Sequence, residues 1–261
     1  MDNAAGKWAL VTGASSGFGA HFAAFLAERK ANLVLAARRT EPMEQLAKQL
    51  HQKHDVSVVV EGIDLSTPGA AAELKARLDR RGIAVDILVN NAGYGLYGSF
   101  FEQPLYKITE MLQLNMIALT ELTHTFAKDM VERRAGYILL IASLLGYQAT
   151  PGYAAYAGTK AYVLLLGEAL HAELKSSGVD VTVLSPGPAS TSFGVVAGQK
   201  NTPVVRMLMM EPQAVARIGI RAMFGRRASV VAGILNKLVV LSFRMVPRRI
   251  QGMVMQKVLS G

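Results

Sequence analysis

Cysteine is missing from all 261 residues, and with it go disulfides, thiolate zinc sites and any cysteine nucleophile. That absence fits a reducing compartment, and a cytoplasmic protein is expected. Histidine is sparse as well. The five, at positions 21, 51, 54, 124 and 171, follow no metal-ligand spacing and accompany no GxSxG or HExxH pattern, so no metal site is expected. The stretch from Met1 to Lys7 lacks the basic-then-apolar layout of an export signal. Acid is nearly absent from one region: residues 204–261 hold ten of the 28 Lys/Arg and, of the 19 acids, only Glu211, which leaves the first 203 residues with 18 of each sign. Only Phe224 and Phe243 are aromatic there, too few to stack on or read bases, and no nucleic-acid partner is expected. A bilayer span needs ~20 mostly apolar residues, and Lys237 and Arg244 interrupt the best stretch.

What the chain does have is 51% apolar residues, ample for a packed core. Apolar runs at Trp8–Val11, Leu33–Ala36, Val56–Val60, Ile87–Val89, Tyr137–Ile141 and Val181–Leu184 alternate with longer amphipathic stretches. The latter read as helices over Phe18–Arg29, Pro42–Lys53, Gly69–Arg81, Leu105–Arg133 with a break, and Ala154–Ser176. Such alternation predicts an α/β fold of the Rossmann type, a doubly wound, mostly parallel sheet with helices on both faces. No linker divides the chain. Residues 1–261 are expected to form one dinucleotide-binding catalytic domain, with 187–225 a substrate loop or flap and 226–261 a basic, apolar C-terminal tail.

The first strand runs into Gly13, Ser15, Ser16, Gly17, Phe18 and Gly19. Three glycines let the backbone turn tightly beside a helix N-terminus, whose free N–H groups suit a pyrophosphate. The second strand ends in Arg38-Arg39 where an acid would otherwise grip a ribose hydroxyl. Two guanidiniums there suit a 2′-phosphate, so NADP(H) is expected over NAD(H). Farther on, Tyr156 and Lys160 stand one helical turn apart, and of eight tyrosines only Tyr156 has lysine at i+4. A cation so placed is expected to lower the phenol's pKa from ~10 toward useful acid/base chemistry. Ser143 closes the preceding apolar strand, thirteen residues upstream.

In order and at family-like separations, these motifs resemble the short-chain dehydrogenase/reductase family, particularly its broad-specificity bacterial reductases, from about Lys7 to Phe193. Further matching points are Asp64-Leu65 at the adenine edge, Asn91-Ala92-Gly93 after the fourth strand, Asn115, and Pro186-Gly187 with Thr191. The resemblance implies hydride transfer between nicotinamide and a carbonyl or secondary alcohol. Tyr156 would be the acid/base, Ser143 the donor to the substrate oxygen, Lys160 the tuning cation and ribose ligand. Asn115 would hold a water for proton resupply, and Thr191 the carboxamide. Phe18 and Pro188 depart from the family pattern, at positions that shape the nicotinamide end of the pocket.

The expected pocket wall, Tyr94, Leu96, Leu145, Tyr153, Phe193 and Met207, is uncharged, and the run Met207–Met210 reads either as an adaptable flap or as core. A lipophilic ketone or aldehyde is the expected substrate, and a dimer or tetramer the expected assembly. The alternative is a dinucleotide-binding regulatory or membrane-associated scaffold with little turnover. Lys237, Arg244 and Arg248 fall near one helical face, which suits peripheral contact of the basic tail with a membrane, the other reading being a tail packed on its own domain or on a partner subunit.

Overall fold

A computed structural model describes residues 4–190, 197–198, 202–247 and 250–255. Short runs such as Asn-Leu-Val-Leu-Ala-Ala are apolar at nearly every position, the signature of strands covered on both faces. They form β1 (Trp8–Thr12), β2 (Asn32–Ala37), β3 (Val58–Gly62), β4 (Val85–Asn90), β5 (Gly136–Ile141), β6 (Val179–Ser185) and β7 (Ser229–Val231). The seven pair in the order β3-β2-β1-β4-β5-β6-β7, and all six pairings are parallel. β3 begins two residues later than the apolar run suggests, because register with β2 pairs Leu33 with Val58.

Parallel neighbours require crossovers, and the helices provide them on both faces. On one side α1 (Gly17–Ala27), α2 (Glu41–His54) and α8 (Pro212–Phe224) bury Phe22, Leu26, Met43, Val215 and Ile220 against the sheet. On the other, α3 (Ala70–Arg80), α5 (Leu119–Glu132) and α6 (Ala154–Leu174) bury Leu74, Leu78, Phe126 and Val163. α4 (Leu105–Leu112) runs without interruption through a π-helical segment, Gln113–Ala118, into α5. The break expected in this long helix is therefore an extra-residue turn rather than a chain reversal. α7 (Pro203–Leu208), α9 (Ile234–Met245) and a helical stretch at 250–255 complete the described elements.

The strand order reverses between β1 and β4. Loops leaving the C-terminal ends of these two strands diverge to opposite faces, and the crevice between them is where such sheets bind ligands.

Candidate active site

One threonine ties the two diverging strand ends together. Thr12 Oγ1 accepts hydrogen bonds from the Asn91 and Ala92 amides at 2.9 Å each, and Asn91 Nδ2 donates to Thr12 O at 2.9 Å. This brace floors a cleft of about 970 Å³, at the upper end of the ~300–1,000 Å³ range of small-molecule sites.

At one end of the cleft, Gly13, Ser15, Ser16, Gly17 and Phe18 supply the wall, and Gly13 and Gly17 adopt φ +65° and +59°. Such angles strain any residue with a Cβ. Phe18 also packs on Phe22, ring centroids 6.5 Å apart. Gly19 lies behind the wall, where a Cβ would overlap the Gly13 carbonyl oxygen. Backbone cannot step aside as a flexible side chain can. Gly19→Ala is therefore expected to cost ~1–3 kcal/mol of stability and to weaken NADPH binding about tenfold or more, read by thermal unfolding and NADPH fluorescence titration.

Arg38, Arg39, Asp64 and Leu65 line the same cleft beyond the turn. Arg38 reaches Asp64 at 3.9 Å and Glu110 at 3.6 Å, with most of its side chain in solvent. Burial pushes the Asp64 carboxyl up, but the Ser66 hydroxyl and amide, at 2.6 and 3.0 Å, and the Arg38 charge outweigh it and leave the pKa lowered. Among the described residues Arg39 has no ion-pair partner. Two guanidiniums, a glycine-built cradle and the N-terminus of α1 thus fit a dinucleotide: the turn would hold its pyrophosphate, with Arg38 and Arg39 near its ribose.

At the other end, α6 presents Tyr156 and Lys160 on one face, both buried, with Ser143 just past β5. Tyr156 shares a side-chain hydrogen bond with Ser143, and Ser143 Oγ accepts from the Leu145 amide at 3.2 Å. Lys160 Nζ donates to Ile141 O at 2.8 Å and lies 5.7 Å from the Tyr156 ring centroid. The expected lowering of the phenol pKa by this cation is not what the arrangement produces. Burial pushes Tyr156 up, and the Ser143 hydrogen bond offsets only part of that; burial also pulls Lys160 down, to about 8. Desolvation disfavours both charged forms.

Asn115 sits in the π-helical segment, whose extra residue re-aims its side chain toward the β4 loop. Its Nδ2 donates to Tyr94 O at 2.9 Å and Thr159 Oγ1 at 3.1 Å, while Oδ1 accepts from Tyr94 N at 3.2 Å. These bonds make it a clamp on the loop holding Ala92 and Gly93. A Cβ on Gly93 would come within 2.8 Å of Asn115 Oδ1 and 3.6 Å of Lys160 Nζ, so the clamp and the lysine meet at that glycine. Pro186, Gly187 and Pro188 also line the cleft, and Gly187 is held close under Asn236.

Of the expected substrate wall, Tyr94, Leu96, Leu145 and Tyr153 line the cleft. Burial, then the charge of Glu110, pushes the Tyr94 phenol up to about 12. Met207 does not belong to the wall. α7 turns it outward, 65% exposed, while Val205, Leu208 and the following Met209 face in. Thr191 and Phe193 lie outside the described residues. Sequence reasoning missed Glu110, Gln148 and the roof of the cleft: Val239, Ser242, Phe243, Val254 and Met255 from α9 and the 250–255 stretch. Apolar residues on every side of α9 were the signal, since a helix so composed needs something to cover on its inner face.

The family described as short chain dehydrogenase matches residues 7–201. A very-long-chain 3-oxoacyl-CoA reductase of Phaeosphaeria nodorum is 33% identical over 73% of the chain and 57% of its own length. The chain spans about three fifths of the length of the first curated relatives it matches. Among solved structures, a short-chain dehydrogenase from Sphingobium yanoikuyae in complex with NADPH is 31% identical, with a TM-score of 0.82 over 92% of this chain and 93% of that one. A bulky-bulky ketone specific alcohol dehydrogenase from Comamonas testosteroni is 28% identical, with a TM-score of 0.77 over 92% and 93%.

Proposed function

This chain belongs to the short-chain dehydrogenase/reductase family, whose members are oxidoreductases that bind a nicotinamide dinucleotide, and from that premise we propose that it reduces a lipophilic ketone or aldehyde with NADPH. The observation that carries the substrate class is the roof: Tyr153, Leu145, Val205, Met209, Phe243 and Met255 enclose the space beside Ser143 and Tyr156 with apolar surface. A sugar or a small anionic metabolite would leave its polar groups unpaired against that wall, at a cost of ~1–3 kcal/mol for each. Gln148 adds one acceptor, its Oε1 buried and without a partner among the described residues, suited to a substrate hydroxyl or amide.

The bound dinucleotide supplies the hydride. The chain's own groups handle the oxygen and the proton: Ser143 Oγ orients the carbonyl oxygen, and Tyr156 Oη delivers a proton to it. Lys160 keeps Nζ beside the Gly93 backbone and the Ile141 carbonyl, and Asn115 fixes that backbone. Burial holds the Tyr156 phenol above its usual pKa, so it is protonated in the free chain. The two similar proteins whose names mention 3-oxoacyl-CoA and bulky ketones support a carbonyl substrate.

The NADPH preference is supported by Arg38 and Arg39 and by the lack of a carboxylate at the end of β2. Removing both guanidiniums leaves Asp64 and Glu110 at this rim, which reverses the local charge. Arg38→Ala/Arg39→Ala is expected to lower kcat/KM for NADPH about 10- to 100-fold with little change for NADH. Steady-state rates with a series from short polar aldehydes to bulky apolar ketones test both halves of the proposal. A preference for polar substrates would overturn the substrate class, and equal loss with both dinucleotides the cofactor assignment.

A further inference from the structure

α9 is apolar on the side that faces water as well as on the side that covers the cleft. Ile234, Leu238, Leu241 and Met245 recur at helical spacing and are 77, 57, 55 and 83% exposed. At 1.5 Å per residue they form an outward stripe about 16 Å long. Ile250, Met253 and Val254 in the next helical stretch, and Met207 in α7, are exposed apolar side chains as well. Leaving this much contiguous apolar side chain in water is costly for a chain that has closed its core elsewhere.

Beside the stripe, between the edge strand β7 and α9, lies a shallow groove of about 280 Å³. Arg227 and Lys237 flank it over a floor that includes Val230 and Val240. Cations at the margin of an apolar face are the arrangement that suits anionic lipid headgroups above acyl chains. The charge of the whole segment points the same way, with ten Lys/Arg against one acid in residues 204–261. A second copy seated face to face would bring two such cationic segments together. An anionic surface instead complements them.

We propose that the outer face of α9, with the Arg227/Lys237 groove, docks peripherally on an anionic lipid bilayer. Among the described residues no helix is long and apolar enough to cross a membrane, so the face lies on the surface. Val204 and Val254 line the catalytic cleft and are also exposed, 39% and 45%. The cleft mouth therefore opens beside the docking face, and a lipophilic carbonyl compound reaches Tyr156 from the bilayer without crossing water. This goes beyond the catalytic reading, and the test below reads binding without turnover.

The test is co-sedimentation of the full chain with vesicles of phosphatidylcholine alone and of phosphatidylcholine mixed with phosphatidylserine. Binding to the mixed vesicles, weakened by salt, is the expected result. Leu238→Glu/Met245→Glu is expected to lose about tenfold or more of the partition coefficient, and Arg227→Ala/Lys237→Ala about fivefold per cation at low salt. Both variants are expected to reduce a small water-soluble ketone at the parent rate, which shows them folded. Absence of vesicle binding by the parent chain would overturn the proposal, as would binding unchanged in the Leu238/Met245 variant. So would a parent chain that fails to partition but is dissociated by that variant in sedimentation velocity, which assigns the face to a second copy.

Discussion

Tyr156→Phe is expected to bind NADPH like the parent chain and to lose carbonyl reduction by ~10²-fold or more, the usual contribution of a positioned general acid. The substitution removes one oxygen and keeps the ring, so the packing against Tyr153, ring centroids 5.7 Å apart, survives. Other proton donors near the cleft are poor substitutes. Tyr94 spends its hydroxyl on the Lys107 carbonyl at 3.1 Å. Burial pulls Lys160 down to about 8, but its Nζ is committed to Ile141 O. Fluorescence titration with NADPH and steady-state reduction of an apolar ketone, run on the same preparation, separate binding from turnover. Retained turnover in Tyr156→Phe would remove Tyr156 from the acid role, and parallel loss of NADPH affinity would make it a binding residue instead.

Tyr156 passes between phenol and phenolate in both directions of the reaction, so the burial that raises its pKa weighs on reduction and oxidation alike. Reading the Tyr156/Lys160 spacing alone leads to a lowered phenol pKa, because spacing reports that a cation is one turn away and says nothing of how much water both groups have lost.

That contrast marks what the sequence carries. Strand identity, sheet type and the glycine turn are legible because each depends on local pattern: continuous apolar runs, a doubly wound alternation, glycine where φ is positive. Tyr156, Lys160 and Ser143 are legible by spacing and family resemblance, and the structure brings them to one end of one cleft. The π-helical turn that aims Asn115 is not legible, since Leu-Gln-Leu-Asn-Met has no residue that requires it; its cause is the clamp onto Tyr94, a contact 21 residues away in sequence. The outward turn of Met207 depends on where α7 begins. The roof from α9 and 250–255 was the largest gap. A basic, apolar tail reads as packed on its own domain or a partner subunit, or as laid on a membrane, and its packing onto the Leu144–Tyr147 turn and the Pro186-Gly187 loop is a contact no local pattern announces.

Lys160→Met is expected to abolish most turnover and, in the same protein, to erase a pH dependence of stability. Lys160 falls from an ordinary value of 10.5 to about 8 because burial disfavours its ammonium. Below pH 8 the group is charged both folded and unfolded, and the folded state carries the full desolvation cost. Between about 8 and 10.5 the unfolded chain binds the extra proton, so stability rises with pH across that window. The displacement is worth about 3 kcal/mol. Methionine has a similar length and no charge, so the variant lacks this cost at every pH, while it leaves the Ile141 carbonyl without its donor, a loss of ~1–3 kcal/mol that does not vary with pH. The prediction therefore rests on the difference in unfolding free energy between parent and variant. That difference is expected to be flat from pH 6 to 7.5 and to move in the parent's favour by about 1 kcal/mol as the pH is raised to 9, which stops short of the ordinary phenol value of 10 at which Tyr156 titrates in the unfolded chain. Urea unfolding at a series of pH values measures it. A difference that stays constant across the window would mean that Lys160 keeps an ordinary pKa in the fold, and with it that water reaches the amine and the catalytic end of the cleft is open rather than roofed.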